Sequence, residues 1–294
     1  MVALALATSL MWGLADFGGG LLTRRMPALT VVLVSQLLAA AVLGVVVVAT
    51  GAWSEAGERL WFAVAAGVVG PIAMLCFYRA LALGPMGVVS PLVATAVAVP
   101  IGVALVMGER PGAVQYTGIL VAFAGIVLAG GPQLRGAPVQ RRTLSHTMFA
   151  ALGFGAVLAL IAEASTTVNG LFLALFVQRV CNVAVGGAAL YAAARRDRER
   201  AGGRFAAALP AGGPQALAAA LPALTFVGLA DVAANATYAL ATRIGPVTVA
   251  AVLASLYPVV TALAARGMLR ERLRAVQAAG AGLAMAGTLL LASG

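Results

Sequence analysis

The feature that most limits what this chain can become is a near-unbroken succession of apolar runs, each about twenty residues long and separated by short polar breaks. Inside hydrocarbon every backbone N–H and C=O has to be satisfied within the protein, which leaves helices or a closed barrel. The runs are long and continuous rather than alternating strands of about ten residues, so helices are expected. Over 294 residues, 62% are hydrophobic and 10% charged, and the mean hydropathy is +1.03. No water-soluble core could hide that many apolar faces. The chain reads as an all-α integral membrane protein.

Ten transmembrane helices are predicted, at about 2–22, 29–50, 60–83, 86–107, 113–131, 146–166, 170–194, 214–241, 246–268 and 275–292. Five precede the break between Gly131 and His146, and five follow it. The opening run has no basic n-region and reads as a span rather than a cleaved signal. A pattern from the first half returns in the second. Gly84-Pro85, an apolar run, Gly108-Glu109-Arg110, Gln115-x-x-Gly118 and Gly125 are answered by Gly245-Pro246, an apolar run, Arg270-Glu271-Arg272, Gln277-x-x-Gly280 and Gly287. The expected organisation is therefore a first five-helix repeat over 1–131, a connecting loop over 132–145 and a second five-helix repeat over 146–294. An odd number of spans per repeat makes the repeats inverted, a construction that recurs in secondary transporters.

All the basic residues are arginines. Arg24, Arg25, Arg135, Arg141, Arg142, Arg195, Arg196, Arg198, Arg200, Arg204, Arg266, Arg270, Arg272 and Arg274 fall in loops 1-2, 5-6, 7-8 and 9-10, which ten spans place on one face. The opposite face has Arg59, Arg110 and Arg243, offset by Glu55, Glu58 and Glu109. The positive-inside rule makes the arginine-rich loops cytoplasmic and puts both termini outside, in a multi-pass protein of the cytoplasmic membrane. The pI of about 11.1 thus reflects orientation, and nucleic acid is not an expected partner.

The paired Glu-Arg turns, each followed by Gln-x-x-Gly and a further glycine, occur together with Trp12-Gly13 in the first span and Pro258 in the ninth. In this the chain resembles the drug/metabolite transporter superfamily, EamA-type, over essentially its whole length. That resemblance implies a ten-helix inverted-repeat fold with a central cavity and a role in moving small metabolites or drugs, often outward. It implies no single substrate. The chain departs from the common pattern of the family, which carries basic residues at the termini and in loops 2-3 and 6-7 and has its termini inside. The first repeat also lacks a proline matching Pro258, having Pro91 and Pro100 instead.

Charge is expensive near the bilayer centre, on the order of 2.5–3.5 kcal/mol per residue on insertion scales, so each intramembrane charge marks a candidate site. Five stand out: Asp16, Arg79, Glu163, Arg179 and Asp231. Asp16 and Arg79 are expected past their span centres toward the arginine-rich face, by about 6 and 12 Å. Glu163 and Arg179 are expected toward the other face, with Asp231 near the middle. This suggests two gates of opposite charge, with Asp231 at the substrate level between them. Glu163 with Arg179 also fits a buried structural ion pair, and Arg79 fits an arginine that snorkels to the interface. Asp231, Asn235 and Tyr238 share one face of the eighth span, and Trp12 lies one turn before Asp16. Gln178, Arg179 and Asn182 cluster in the seventh span. Gln36 reads as packing glue between helices. Trp12 and Tyr257 fit an aromatic wall for a small substrate, or ordinary packed aromatics. The expected substrate contacts are Trp12, Asp16, Arg79, Glu163, Arg179, Asp231, Asn235 and Tyr257. Pro71, Pro91, Pro100, Pro222 and Pro258 interrupt backbone hydrogen bonding in spans 3, 4, 8 and 9, which with spans 1 and 6 are expected to line the cavity.

No cofactor or metal site is readable. His146 is the single histidine, Cys76 and Cys181 lie in separate spans, and no phosphate-binding loop or lysine is present, so ATP is not the direct driver. Carboxylates such as Asp16, Glu163 and Asp231 could carry protons; facilitated diffusion is the simpler alternative. An intramembrane enzyme would need a catalytic constellation that these scattered acids do not offer. A membrane sensory or scaffold protein on a degenerate transporter fold is the remaining alternative. The lipid bilayer and a small-molecule substrate are the expected partners. No obligatory protein partner is readable, and monomer and homodimer stay open.

Overall fold

In the computed structural model the chain is described over residues 1–23, 25–83, 93, 96, 98–129, 141–164, 166–201, 213–269 and 275–293. Its described elements are helical: α1 (Val2–Thr23), α2 (Ala28–Thr50), a 3-10 turn (Ala52–Glu55), α3 (Leu60–Leu83), α4 (Ala98–Val106), α5 (Ala113–Ala129), α6 (Arg141–Glu163), α7 (Val168–Ala201), α8 (Gly213–Arg243), α9 (Val247–Ala254), α10 (Tyr257–Leu269) and α11 (Ala275–Ser293). Among the described residues, six helices are long and apolar enough to cross a membrane, at Val2–Thr23, Leu29–Thr50, Leu60–Phe77, Arg142–Glu163, Val168–Ala192 and Gly213–Arg243. Two shorter apolar helical stretches, Ala113–Gly125 and Val247–Thr261, accompany them.

Local chemistry sets several of the boundaries. Pro27 and Pro246 stand just before α2 and α9, with φ near −56° and −57°, where a residue without an N–H leaves no helical bond unmade. Gly51 ends α2 in the left-handed region (φ 65°) and donates its N–H to the carbonyls of Val47 and Val48. The expected ninth span is divided into α9 and α10. Pro258 has no N–H to offer the Ala254 carbonyl, and Ser255 and Leu256 turn the chain instead, with Leu256 N–H bonding Leu253 O at 3.3 Å. Pro71 and Pro222, by contrast, lie inside continuous helices. Pro100 sits in the first turn of α4, where proline is tolerated, and Pro91 lies outside the described residues. The seventh span outruns its expected end: α7 is 34 residues long, about 51 Å, and carries its arginine-rich tail as helix.

Packing joins α1 to α8 and α10, α2 to α7 and α8, α3 to α6 and α7, and α5 to α11. Two larger apolar cores result, with smaller clusters beside them. One surrounds α9, seven of whose eight residues are buried, and adds Ala5, Ala122, Tyr238, Leu256 and Val259. The other joins Leu43 of α2, Ala66 of α3, Ile161 of α6, Leu171 and Leu175 of α7 and Val232 of α8. Small residues permit the closest approaches. A Cβ at Gly228 would collide with the Ser35 carbonyl oxygen where α8 meets α2, and one at Gly287 would strike the Ala122 backbone where α11 meets α5. Large apolar side chains such as Val45, Trp61, Leu120, Phe149 and Leu289 are exposed. That is the surface a lipid-facing belt requires.

Candidate functional site

A polar cluster is centred on Asp231 of α8, next to Val232 of one apolar core and bonded to Trp12, which packs on the other. Its Oδ1 accepts hydrogen bonds from Trp12 Nε1 on α1 at 3.0 Å and from Asn235 Nδ2 at 3.2 Å. Its Oδ2 accepts from Arg179 Nη1 on α7 at 2.7 Å and from Gln36 Nε2 on α2 at 3.1 Å. The Gln36 Oε1 in turn accepts from Arg179 Nη1 at 2.6 Å and from Asn182 Nδ2 at 3.2 Å. Asn235 Nδ2 also donates to the Asp231 backbone carbonyl at 2.8 Å, which fixes the amide beside the carboxylate. Four helices are thus tied to one carboxyl group.

The electrostatics follow from burial. The Arg179 side chain is 3% exposed and that of Asp231 26%, so the guanidinium depends on the carboxylate for charge compensation. Four donors on two oxygens leave the carboxylate well solvated by protein. The turn Gln178–Asn182 keeps spare polar capacity: Gln178 Oε1, Asn182 Oδ1 and Arg179 Nε and Nη2 are buried and have no partner among the described residues.

An aromatic wall stands beside the cluster. The Trp12 ring lies 6.2 Å from Tyr257, edge-on at 78°, and 6.3 Å from the buried Tyr238, tilted at 35°. Hydroxyl bonds pin α1 in register with its neighbours. Thr8 and Thr237 meet at 2.9 Å, and Thr261 Oγ1 donates to the Gly13 carbonyl at 3.1 Å. Gly13 is required at that crossing because a Cβ would run into Val260. Asp16 lies one turn beyond Trp12 on the same face of α1.

The sequence expectations divide here. Trp12, Arg179, Asp231 and Asn235 come together in one network, with Asp16 and Tyr257 at its border. Glu163 does not join them. Its carboxylate pairs with Arg59 Nη1 at 3.3 Å, with both side chains about half exposed, near the end of α6. The expected pairing of Glu163 with Arg179, and the gate built on it, are corrected accordingly: Arg179 is already bonded to Asp231. Arg79 lies on α3, and its side chain is outside the described residues. Gln36 and Asn182 are additions to the set. Their signal was an uncharged amide in the middle of an apolar run, at the depth of Gln178 and Arg179. The cluster also draws on spans 2 and 7, which the proline pattern did not single out.

A second polar contact lies at the start of α9. Glu109, before α5, accepts from Thr248 Oγ1 at 2.8 Å and from Thr248 N at 3.3 Å. It thereby caps α9, whose preceding residue, Pro246, has no side-chain acceptor to offer. Among the described residues no three His, Cys, Asp or Glu side chains gather in a way that could hold a metal ion.

A crystal structure of another protein shares this fold over 98% of the present chain and 94% of its own, with a TM-score of 0.67 at 18% sequence identity. No curated protein matches the sequence. The model of the EamA-like transporter family matches residues 1–131 and again 147–293. This multi-pass, all-helical chain therefore belongs to the EamA-like transporter family, a membrane transporter family of the drug/metabolite superfamily.

Proposed function

We propose that the chain is a secondary transporter that exports small metabolites or drugs across the cytoplasmic membrane by alternating access, with Asp231 at the substrate level. The observation that carries this reading is the convergence of Trp12, Gln36 and Arg179, from α1, α2 and α7, on a single carboxylate of α8. A network so shared can break and re-form as helices rock, which a static packing contact cannot do. The proposed architecture is two inverted five-helix repeats, 1–131 and 146–294, joined by 132–145. Helix pairing supports it. Exchanging the halves converts the α3/α6 contact into α8/α1 and leaves α2/α7 and α5/α11 as self-matching pairs. The dense core around α9 and its Glu109 cap would then close the outer end, with the arginine-rich loops cytoplasmic. Asp16 and Asp231 are the groups positioned to carry protons if export is proton-coupled.

The test is counterflow in proteoliposomes with a panel of labelled amino acids, nucleosides, sugars and cationic drugs. Flux of at least one class is expected from the native chain. It should fall by about tenfold or more in Asp231→Asn, a loss of roughly 1.4 kcal/mol of differential binding, while the variant still inserts and stays monodisperse. Undiminished flux in the variant removes Asp231 from the mechanism, and no flux from any class favours the sensory or scaffold alternative.

A further inference from the structure

From its middle onward α7 shows one exposed stripe. Val180, Ala184, Ala188, Tyr191, Ala192 and Arg195 are exposed at i, i+4, i+8, i+11, i+12 and i+15, whereas Gln178, Arg179 and Gly186 on the other side are buried. The lower part of the stripe is apolar and faces lipid. It ends at Tyr191, 65% exposed, a ring suited to the level of the headgroups. Arg195 stands one turn farther, about 6 Å, which is still inside a headgroup layer about 5–7 Å deep. Because α7 runs on past the membrane-spanning stretch Val168–Ala192 to Ala201, Arg195 is held on that stripe by helix on both sides. In the helical register Arg198 follows on the same side, Asp197 falls across the helix, and Glu199 lies a turn farther from the membrane.

The arrangement recurs on α6. Arg142, Ser145, Phe149 and Leu152 are exposed at i, i+3, i+7 and i+10, so a second lipid-facing stripe also finishes in an arginine, at the end of the bundle where α7 finishes. The opposite end is different. There the exposed Trp53 and Trp61 flank a loop in which Glu55 and Glu58 outnumber Arg59. Among the described residues Arg195 has neither a hydrogen-bond nor an ion-pair partner. Its fork of N–H donors matches the oxygens of a phosphate group. A free phosphate would use the guanidinium alone, whereas a phospholipid also covers the ring and the apolar stripe beneath it. The cytoplasmic leaflet is the one rich in anionic lipid.

We propose that the end of α7 is a binding site for an anionic phospholipid, with the phosphate on Arg195, the glycerol at the level of Tyr191 and an acyl chain along Ala188, Ala184 and Val180. The assignment rests on the cytoplasmic placing of the arginine-rich loops and is independent of what is transported. It anchors to one leaflet the helix that carries Arg179.

The test places the photo-crosslinker p-benzoylphenylalanine at Ala188 of the full-length protein, about 10 Å below Arg195 on the same stripe. Proteoliposomes contain equal amounts of phosphatidylglycerol and phosphatidylcholine with matched acyl chains, and the lipid adducts are weighed by mass spectrometry. Phosphatidylglycerol adducts are expected to exceed the others by about fivefold, the factor that one arginine near a membrane surface supplies. Arg195→Gln should bring the ratio to about one, and Arg195→Lys, which restores the charge, should keep most of the excess. An unchanged total adduct yield in both variants shows that the fold and the depth of α7 are intact. Equal adducts from the two lipids in the native chain overturn the proposal. So do a ratio that Arg195→Gln leaves unchanged and an absence of any lipid adduct. Loss of the excess on adding sn-glycerol 3-phosphate overturns the lipid site in favour of a free-phosphate one. Each of these results leaves the transporter reading to be decided by counterflow.

Discussion

Replacing Asp231 with asparagine removes the counter-charge of a guanidinium that is 3% exposed. Removing one partner of a buried ion pair costs on the order of 3–5 kcal/mol, because the other charge is left without compensation. Asp231 keeps 26% exposure, so solvent reaches one side of the pair and the lower end, about 3 kcal/mol, is the expected cost. Hydrogen-bond geometry works in the same direction. Trp12 and Asn235 share one carboxylate oxygen and Gln36 and Arg179 the other, whereas asparagine offers a single oxygen, so one of those donor pairs will face an NH2 group. Arg179→Gln should cost less, about 1–3 kcal/mol, since the Trp12, Gln36 and Asn235 donors still hold the carboxylate. The double variant carries no unpaired charge. A double-mutant cycle from reversible unfolding in mixed micelles should therefore give a coupling of roughly 1.5 kcal/mol or more. The exposed Arg59–Glu163 pair is the internal control, with Arg59→Gln expected within about 1 kcal/mol of the native chain. A coupling below about 0.5 kcal/mol, or an Arg59→Gln cost equal to that of Asp231→Asn, would refute the charge argument.

The close crossing of α2 and α8 predicts that Gly228→Val, whose side chain meets the Ser35 carbonyl, destabilises by about 1–3 kcal/mol or more. Gly20→Ala, which meets nothing within 4 Å, should leave the melting temperature in detergent unchanged or raised. Equal behaviour of these two variants would remove the packing explanation. At the other end, Glu109→Gln takes the charged acceptor from the first turn of α9, at a cost of about 1–2 kcal/mol. Faster amide exchange confined to the start of α9 is the expected signature, and exchange that rises evenly along the chain would contradict a local cap.

Long apolar runs were enough to anticipate an all-helical chain and the six described helices long enough to cross a membrane, because hydrocarbon allows so few alternatives to them. Single-helix faces were equally legible: Asp231 with Asn235, and Trp12 one turn from Asp16, are fixed by the helical repeat alone. Partner choice between helices was not. Approximate span ends suggested that Glu163 and Arg179 lie near one level, but Glu163 is the last residue of α6 whereas Arg179 stands eleven residues, about 16 Å, into α7. Arg179 therefore meets Asp231, and Glu163 meets Arg59 at the helix end. Gln36 was undervalued for a related reason, since a lone amide in an apolar run shows its role only once two other helices converge on it. The Glu109 cap illustrates the opposite case. Its residue sits in the repeated turn motif, yet its partner, Thr248, lies 139 positions away.

The pairing of Arg179 with Asp231 bears on how the chain is built. A ribosome delivers Arg179 to the bilayer 52 residues ahead of the carboxylate that will neutralise it, and most of α8 has to follow before the pair can close. Asp16, Trp12 and Gln36 are already made by then. Among the described residues, the Gln36 carbonyl oxygen that Arg179 meets at 2.6 Å in the finished fold is its one hydrogen-bond acceptor made before α8. An amide that looks like simple glue between helices is thus placed to hold an arginine in hydrocarbon during synthesis, until α8 arrives with the counter-charge.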